Sequence, residues 1–192
     1  MNKTTQTLRN TSLEHFHSIR RPAAGDALTV DDPASLLMTD FSRTEPLTLS
    51  RDMPIDEANA AMRERGVRSA LVTDSAGRFA GLLALTDLNS HRVLALATSR
   101  GQTRDDLTAG DMMRPRYNLC GISLQTLEHS SIGDCLKTLQ QTGRQHLLIT
   151  DPAQNEICGI ISASDIARAL HCPVEIPLIA DSFVQVVSAL QS

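Results

Sequence analysis

The sequence lacks the features that would place it in a membrane or in an oxidising compartment. It contains no run of about 18 apolar residues, and its first 26 residues include no apolar stretch typical of a secretory leader. Its four cysteines form no C-x-x-C pair, so we expect small apolar side chains rather than a disulfide or a zinc site. These absences predict a cytoplasmic protein without a metal centre.

Catalytic motifs and an excess of positive charge are absent as well. The chain contains no G-x-S-x-G, Walker, H-E-x-x-H or Cys-His nucleophile pattern, so we do not expect an enzyme, although a dyad assembled across a dimer stays open. Its 192 residues carry 18 basic and 22 acidic side chains, and this net charge of -4 disfavours nucleic acid and anionic lipid as partners. A hydrophobic fraction of 41% is typical of a folded globular protein.

An internal repeat is found when the chain is aligned with itself. Residues 55–74, IDEANAAMRERGVRSALVTD, match residues 132–151, IGDCLKTLQQTGRQHLLITD, and GLLALTDL further along matches GIISASDI. In each copy, apolar residues at helical spacing end at a glycine, and two short apolar runs follow, separated by turn residues. Each copy therefore predicts the order strand, helix, strand, strand, helix, with the two inner strands joined as a hairpin.

The remaining segments complete the two copies. PLTLS and ISLQTL predict the first strands, TDLNSHRVLALAT and SDIARAL predict the second helices, and the matching segments LLMTDF and DMMRPR lead into the copies. We expect a flexible N-terminal arm over 1–33, the copies over 34–99 and 111–171, a polar linker over 100–110, and an amphipathic C-terminal helix over 172–192.

This arrangement resembles the cystathionine-β-synthase (CBS) domain pair, also called a Bateman module. GVRSALVTDSAGRFAGLLALTDL and GRQHLLITDPAQNEICGIISASDI are similar to the family's core, and DLTAGDMMRP is similar to the segment before its second repeat. The resemblance implies an α+β fold of two tandem repeats with pseudo-twofold symmetry. It also implies a regulatory homodimer that binds an adenosine compound, such as AMP, ADP, ATP or S-adenosylmethionine, between the repeats, and that acts on a regulated protein.

The family's nucleotide-contact signature is a glycine, two apolar residues, Ser or Thr, any two residues and Asp. The second copy fits it completely with Gly159, Ser162 and Asp165, and Ser164 adds another hydroxyl. The resemblance implies that Asp165 accepts the ribose hydroxyls, while the helix start and the serine hydroxyls suit a phosphate. The alternative is structural, because Ser and Asp are also preferred at helix N-termini.

The first copy fits the signature less well. Thr86 and Asp87 are present, but Ala84 occupies the position of Ser or Thr, so that hydroxyl is missing. We therefore predict the better site in the second copy and a weaker site in the first. Helix capping is again the alternative reading of Asp87.

Three basic side chains are candidates to neutralise a phosphate at the second site. Arg68 precedes an inner strand of the first copy, His146 lies at the equivalent strand of the second, and Arg168 follows Asp165 by about one helical turn. The alternative for each arginine is a solvated surface side chain. The second hypothesis for the whole protein is an adaptor that dimerises or docks a partner and binds no nucleotide.

Overall fold

The computed structural model describes residues 28–176, together with Glu14 and Ser18. These residues form two four-stranded sheets and seven α-helices, which confirms the predicted α+β fold of two tandem repeats. Most of the predicted N-terminal arm, and the predicted C-terminal helix beyond residue 176, lie outside the described residues. Among the helices described, none has the length and apolar character needed to cross a bilayer.

The elements follow the same order in both repeats. Ahead of the first repeat lies β1 (Thr39–Asp40). The first repeat consists of β2 (Thr48–Ser50), α1 (Ile55–Glu64), β3 (Ser69–Thr73), β4 (Phe79–Ala84), α2 (Leu85–Leu88) and α3 (His91–Arg100). Ahead of the second repeat lie α4 (Ala109–Met112) and β5 (Arg114–Pro115). The second repeat consists of β6 (Cys120–Ser123), α5 (Leu124–Glu128), α6 (Ile132–Thr142), β7 (His146–Asp151), β8 (Glu156–Ser162) and α7 (Ala163–Ala169).

The two inner helices, α1 and α6, form where the apolar spacing predicts them. Each buries one stripe against a core, namely Ile55, Ala58 and Met62 in α1 and Ile132, Cys135 and Leu139 in α6. Each is followed by a glycine in the left-handed region, Gly66 with φ 64° and Gly143 with φ 63°. The predicted glycine stops are therefore confirmed, because a residue without a Cβ takes this conformation at little cost.

The inner strands also pair as predicted. β3 with β4, and β7 with β8, form antiparallel hairpins. β2 runs parallel to β3, and β6 runs parallel to β7, so α1 and α6 are the crossovers that parallel neighbours need.

Two predicted elements differ in extent. ISLQTL, predicted as a strand, becomes α5 after Ser123, whose hydroxyl accepts a hydrogen bond from the Thr126 N–H at 3.1 Å. The second helix predicted in the first repeat is interrupted between α2 and α3, where the Ser90 hydroxyl donates to the Asp87 carbonyl at 2.7 Å. In both places a side chain bonds the backbone and ends the regular element.

The two leading strands are exchanged between the repeats. β1 pairs antiparallel with β8 of the second repeat, and β5 pairs antiparallel with β4 of the first. The sheets therefore have the matching orders β1-β8-β7-β6 and β5-β4-β3-β2. Because each sheet is completed by chain that leads into the other repeat, the two repeats are held together by backbone hydrogen bonds.

Two glycines allow the exchanged strands to come this close. A Cβ on Gly81 would overlap the Arg114 carbonyl oxygen. A Cβ on Gly159 would overlap the Met38 side chain and lie 2.9 Å from the Thr39 carbonyl oxygen. The glycine that begins each signature is therefore required by the packing of the exchanged strand, independently of any ligand.

The segments before the leading strands also dock on the opposite repeat. The Leu107 carbonyl accepts the Ile55 N–H at 3.0 Å, and the Asp32 carbonyl accepts the Ile132 N–H at 2.9 Å. These bonds satisfy an amide in the first turn of each inner helix, which has no partner within the helix. Leu107 is itself fully buried in the core of the first repeat, although the segment around it is polar.

Candidate functional site

A cavity of about 270 Å³ lies between the two repeats, and we call it the inter-repeat cavity. Its walls come from the segment after β1, from the turn between α1 and β3, from β3 and β4, and from β7, β8 and α7 of the second repeat. Six of the predicted site residues line it: Arg68, His146, Ser162, Ser164, Asp165 and Arg168. The structure therefore brings together, from both repeats, most of the side chains that the sequence assigns to the better site.

Asp165 lies in the first turn of α7 and carries the central carboxylate of the cavity. The Ser162 hydroxyl accepts the Asp165 N–H at 3.1 Å and donates to Asp165 Oδ2 at 2.5 Å. Arg168 Nη2 donates to Asp165 Oδ1 at 2.7 Å, and Arg68 Nη2 of the first repeat lies 3.9 Å from the same oxygen. The carboxylate, 30% exposed, is thus in contact with both repeats.

The helix cap at this junction is Ser162 rather than Asp165. The Ser162 hydroxyl occupies the N-cap of α7, and the Ser164 hydroxyl lies 2.9 Å from it. An ionised carboxylate offers about four acceptor positions, so Asp165 can keep the Ser162 hydrogen bond and still accept hydroxyl groups of a ligand. The exposed Ser164 hydroxyl lies on the cavity wall beside it.

The positive charge at the cavity comes from the two arginines and not from His146. The pKa of His146 is lowered to about 4, chiefly by desolvation and also by the charges of Arg114 and Arg68, whereas Asp165 acts in the opposite direction. His146 is therefore uncharged at neutral pH. This corrects the expectation that His146 would neutralise a phosphate, and its ring lines the wall as a neutral group.

The low pKa of His146 predicts a specific loss of stability in acid. Because the unfolded chain binds this proton near pH 6.5 and the folded protein only near pH 4, the stabilising contribution is present above pH 6.5 and is lost as the pH falls to 4. Between pH 7 and pH 4.5 we expect the wild type to lose about 2 kcal/mol more unfolding free energy than His146→Gln. Urea unfolding at each pH measures this, and identical pH profiles would contradict it.

The signature residues of the first repeat do not line this cavity. Thr86 is exposed on α2, and Asp87 lines a separate cleft, where its carboxylate is 15% exposed and Oδ2 lies 3.9 Å from Arg114 Nε. Ala84 occupies the N-cap of α2 and makes no side-chain cap, as the missing hydroxyl requires. Gly159 also lies off the cavity wall, beneath β1.

Sequence reasoning missed the wall contributed by the segment after β1, which includes Phe41, Thr44 and Leu47. This segment precedes the first repeat, but it begins against β8 of the second, where the Phe41 N–H donates to the Cys158 carbonyl at 3.0 Å, because the leading strands are exchanged. No local pattern reports such a contact between distant segments. The indication in the sequence is the glycine at the start of each signature, where a neighbouring backbone passes closely.

The cysteines and acidic groups of the described residues form no metal site, and the cysteines differ in burial. No three His, Cys, Asp or Glu side chains described by the structure are grouped so as to hold a metal ion. Burial raises the pKa of Cys135 to about 11, so this thiol stays protonated at neutral pH. Cys172 is exposed, in contrast to the buried position of Cys135.

Comparison with known proteins relates both the sequence and the fold to one family. A family model described as CBS domain matches residues 38–93 and 109–172. An uncharacterized conserved protein from Pyrococcus horikoshii is 20% identical, with a TM-score of 0.55 over 77% of this chain and 98% of that one. A CBS-domain containing protein from Agrobacterium tumefaciens is 20% identical, with a TM-score of 0.51 over 78% of this chain and 98% of that one.

The CBS domain of a bacterial CNNM/CorC family Mg2+ transporter, solved in complex with ATP, is 15% identical. Its TM-score is 0.53, over 74% of this chain and 89% of that one. At these identities the solved structures share the fold. No protein with a curated description matches the sequence.

Proposed function

Because the chain belongs to the CBS domain family, whose tandem pairs are generally regulatory rather than catalytic, we propose that it is a regulatory module that binds an adenosine nucleotide in the inter-repeat cavity. The main support for the proposal is that Asp165, Arg68 and Arg168 line one cavity formed by both repeats, with the carboxylate within ion-pair distance of both arginines. The presence of ATP in the related transporter domain supports the ligand class. AMP, ADP, ATP and S-adenosylmethionine are the candidates.

Each part of such a ligand has a counterpart in the cavity. The ribose hydroxyls donate to the Asp165 carboxylate, which is an acceptor only when ionised. The phosphate lies towards Arg68 and Arg168, whose side chains are 60% and 67% exposed and therefore reach solvent. The adenine contacts the apolar part of the wall, formed by Leu47, Ala70, Leu71, Leu82 and Ile160.

The cavity also supplies a way to convert binding into a structural change. Its volume of about 270 Å³ is just below the range of about 300–1,000 Å³ that is usual for small-molecule sites. A nucleotide that engages Asp165 competes with the Arg68 contact, which joins the first repeat to the second. A ligand that binds more tightly when the repeats are further apart therefore shifts the population of the protein towards that arrangement.

Isothermal titration against AMP, ADP, ATP and S-adenosylmethionine tests the proposal. We expect saturable binding of at least one of them, and a rise in Tm that increases with its concentration. Guanosine compounds at the same concentrations are the control for general phosphate binding. Absence of heat and of a Tm shift for every adenosine compound at millimolar concentration would reject the proposal.

The adaptor hypothesis has one observation in its favour. The Asp165 carboxylate already has partners within its own helix region, since Ser162 and Arg168 both donate to it. Under this hypothesis these contacts only stabilise the start of α7 and bind no ligand. The protein then acts by dimerising or by docking a regulated protein. A negative result in the titration, with a folded dimer in solution, would favour this function.

We also propose that the protein forms a homodimer in the cytoplasm through its helices. Leu94 on α3 is 70% exposed, so α3 presents a large apolar side chain that a second copy of the chain would cover. We expect Leu94→Asp to convert the dimer into a monomer, as measured by light scattering after size-exclusion chromatography. Leu36, 60% exposed outside the long helices, provides the control, because Leu36→Asp should leave the mass unchanged.

A further inference from the structure

A second cleft, of about 990 Å³, lies on the first repeat and shares no lining residue with the inter-repeat cavity. It is formed by α3, by α4, by the start of β4 and by β5 with the turn that follows it. Six arginines line it: Arg51, Arg78, Arg92, Arg100, Arg114 and Arg116. We call it the arginine cleft.

The arginine cleft is positive in a protein whose overall charge is negative. Three aspartates, Asp74, Asp87 and Asp111, also line it, so the arginines are in excess by three. The chain as a whole has a net charge of -4. A guanidinium group stays protonated in proteins, and a concave wall concentrates the field of such groups.

Each of these aspartates forms an ion pair with an arginine of the same cleft. Arg78 Nη2 lies 2.9 Å from Asp74 Oδ2, Arg100 donates to Asp111, and Arg114 Nε lies 3.9 Å from Asp87 Oδ2. In contrast, the guanidinium groups of Arg51 and Arg116 have no hydrogen-bond or ion-pair partner among the described residues. Two cations are therefore available to a ligand without loss of an existing ion pair.

The backbone holds Arg51 in place while its side chain is unpaired. The Arg51 N–H donates to the Thr73 carbonyl at 2.9 Å, and the Arg51 carbonyl accepts the Gly110 N–H at 2.7 Å. A Cβ on Gly110 would lie 2.9 Å from the Arg51 carbonyl oxygen and 3.3 Å from Arg51 Nε. The first repeat and the segment before β5 thus meet closely at this arginine, which reduces the cost of positioning it for a ligand.

We propose that the arginine cleft binds a chain of linked phosphate groups. Guanidinium groups match phosphate oxygens with paired hydrogen bonds, and an excess of three positive charges suits a triphosphate better than a single phosphate. Such a chain is found in inorganic polyphosphate and in the tail of a nucleoside triphosphate. Tyr117, 83% exposed on the same wall, is placed where a base attached to the chain would stack.

Titration with inorganic tripolyphosphate at constant ionic strength tests the proposal without any nucleoside. We expect Arg51→Ala/Arg116→Ala to raise the Kd at least about tenfold, because two charge-assisted contacts are lost while every ion pair of the cleft is kept. Arg63→Ala/Arg65→Ala is the matched control, because it removes the same two charges from the end of α1, outside both sites, and should change the Kd less than about twofold. Thermal unfolding checks that all variants are folded.

The outcome is separate from that of the nucleotide proposal, because tripolyphosphate carries no adenosine. In Asp165→Asn, where the inter-repeat site is weakened, ATP that binds much more tightly than tripolyphosphate and loses this affinity on Arg51→Ala/Arg116→Ala identifies a nucleotide tail, and equal affinities identify inorganic polyphosphate. Absence of tripolyphosphate binding at millimolar concentration overturns the proposal. An equal loss of affinity in Arg63→Ala/Arg65→Ala overturns it as well.

Discussion

Asp165→Asn is expected to weaken the binding of AMP by about 10- to 100-fold, since hydrogen bonds to a charged acceptor contribute about 1.5–3 kcal/mol. The substitution keeps the size of the side chain but replaces one acceptor oxygen with a donor, which faces the ribose hydroxyls unfavourably. Isothermal titration of AMP measures the change. AMP is preferred to ATP here because a single phosphate is a poor ligand for the arginine cleft.

Asp87→Asn is the matched control for this prediction. Asp87 occupies the same position in the first signature, but it lies outside the inter-repeat cavity, so its substitution should change the AMP affinity less than about twofold. Equal losses in the two variants would reject the ranking of the two sites. Because Asp165 also accepts a bond from Ser162, thermal unfolding should accompany the titration, with an expected cost of about 1 kcal/mol.

The order of elements within each repeat could be predicted because it depends on local chemistry. The stripe Ile55, Ala58 and Met62 fixes the buried face of α1, and Gly66 ends it. The same spacing of buried apolar residues recurs in α6, so the same rule predicts both helices. Turn residues between two apolar runs then give the hairpins.

The exchange of the leading strands could not be predicted in this way. β1 is only two residues long, and its pairing with β8 depends on tertiary contacts between segments far apart in the chain. The interruption after α2 has a different cause, since the Ser90 hydroxyl competes with the helix for the Asp87 carbonyl. Sequence period alone does not report that competition.

The candidate site was predictable where it depends on helical spacing and not where it depends on burial. The spacing of Asp165 and Arg168 places them side by side, and the structure has a 2.7 Å hydrogen bond between them. The charge state of His146 is instead set by the surrounding protein, which lowers its pKa to about 4. The different surroundings of Asp87 and Asp165 likewise arise from the packing of the two repeats.

Gly159→Ala is expected to destabilise the protein by about 2 to 3 kcal/mol, because an added methyl group has no room where β1 crosses β8. The contact on one side is the Thr39 carbonyl oxygen at 2.9 Å, which belongs to a paired backbone and cannot move freely. The contact on the other side is the flexible Met38 side chain. Urea unfolding measures the loss.

Gly121→Ala provides the control within the same sheet, because its nearest contact, the Leu148 carbonyl oxygen, would lie 3.3 Å from the new Cβ at an exposed position of the edge strand β6. We expect a change of less than about 1 kcal/mol there, since alanine also orders a strand better than glycine. Adding Met38→Ala to Gly159→Ala should relieve the side-chain overlap but not the carbonyl contact, so a double-mutant cycle should give a coupling of about 1 kcal/mol. A neutral Gly159→Ala would contradict the close pairing of β1 with β8. It would also contradict the wall that the segment after β1 contributes to the inter-repeat cavity.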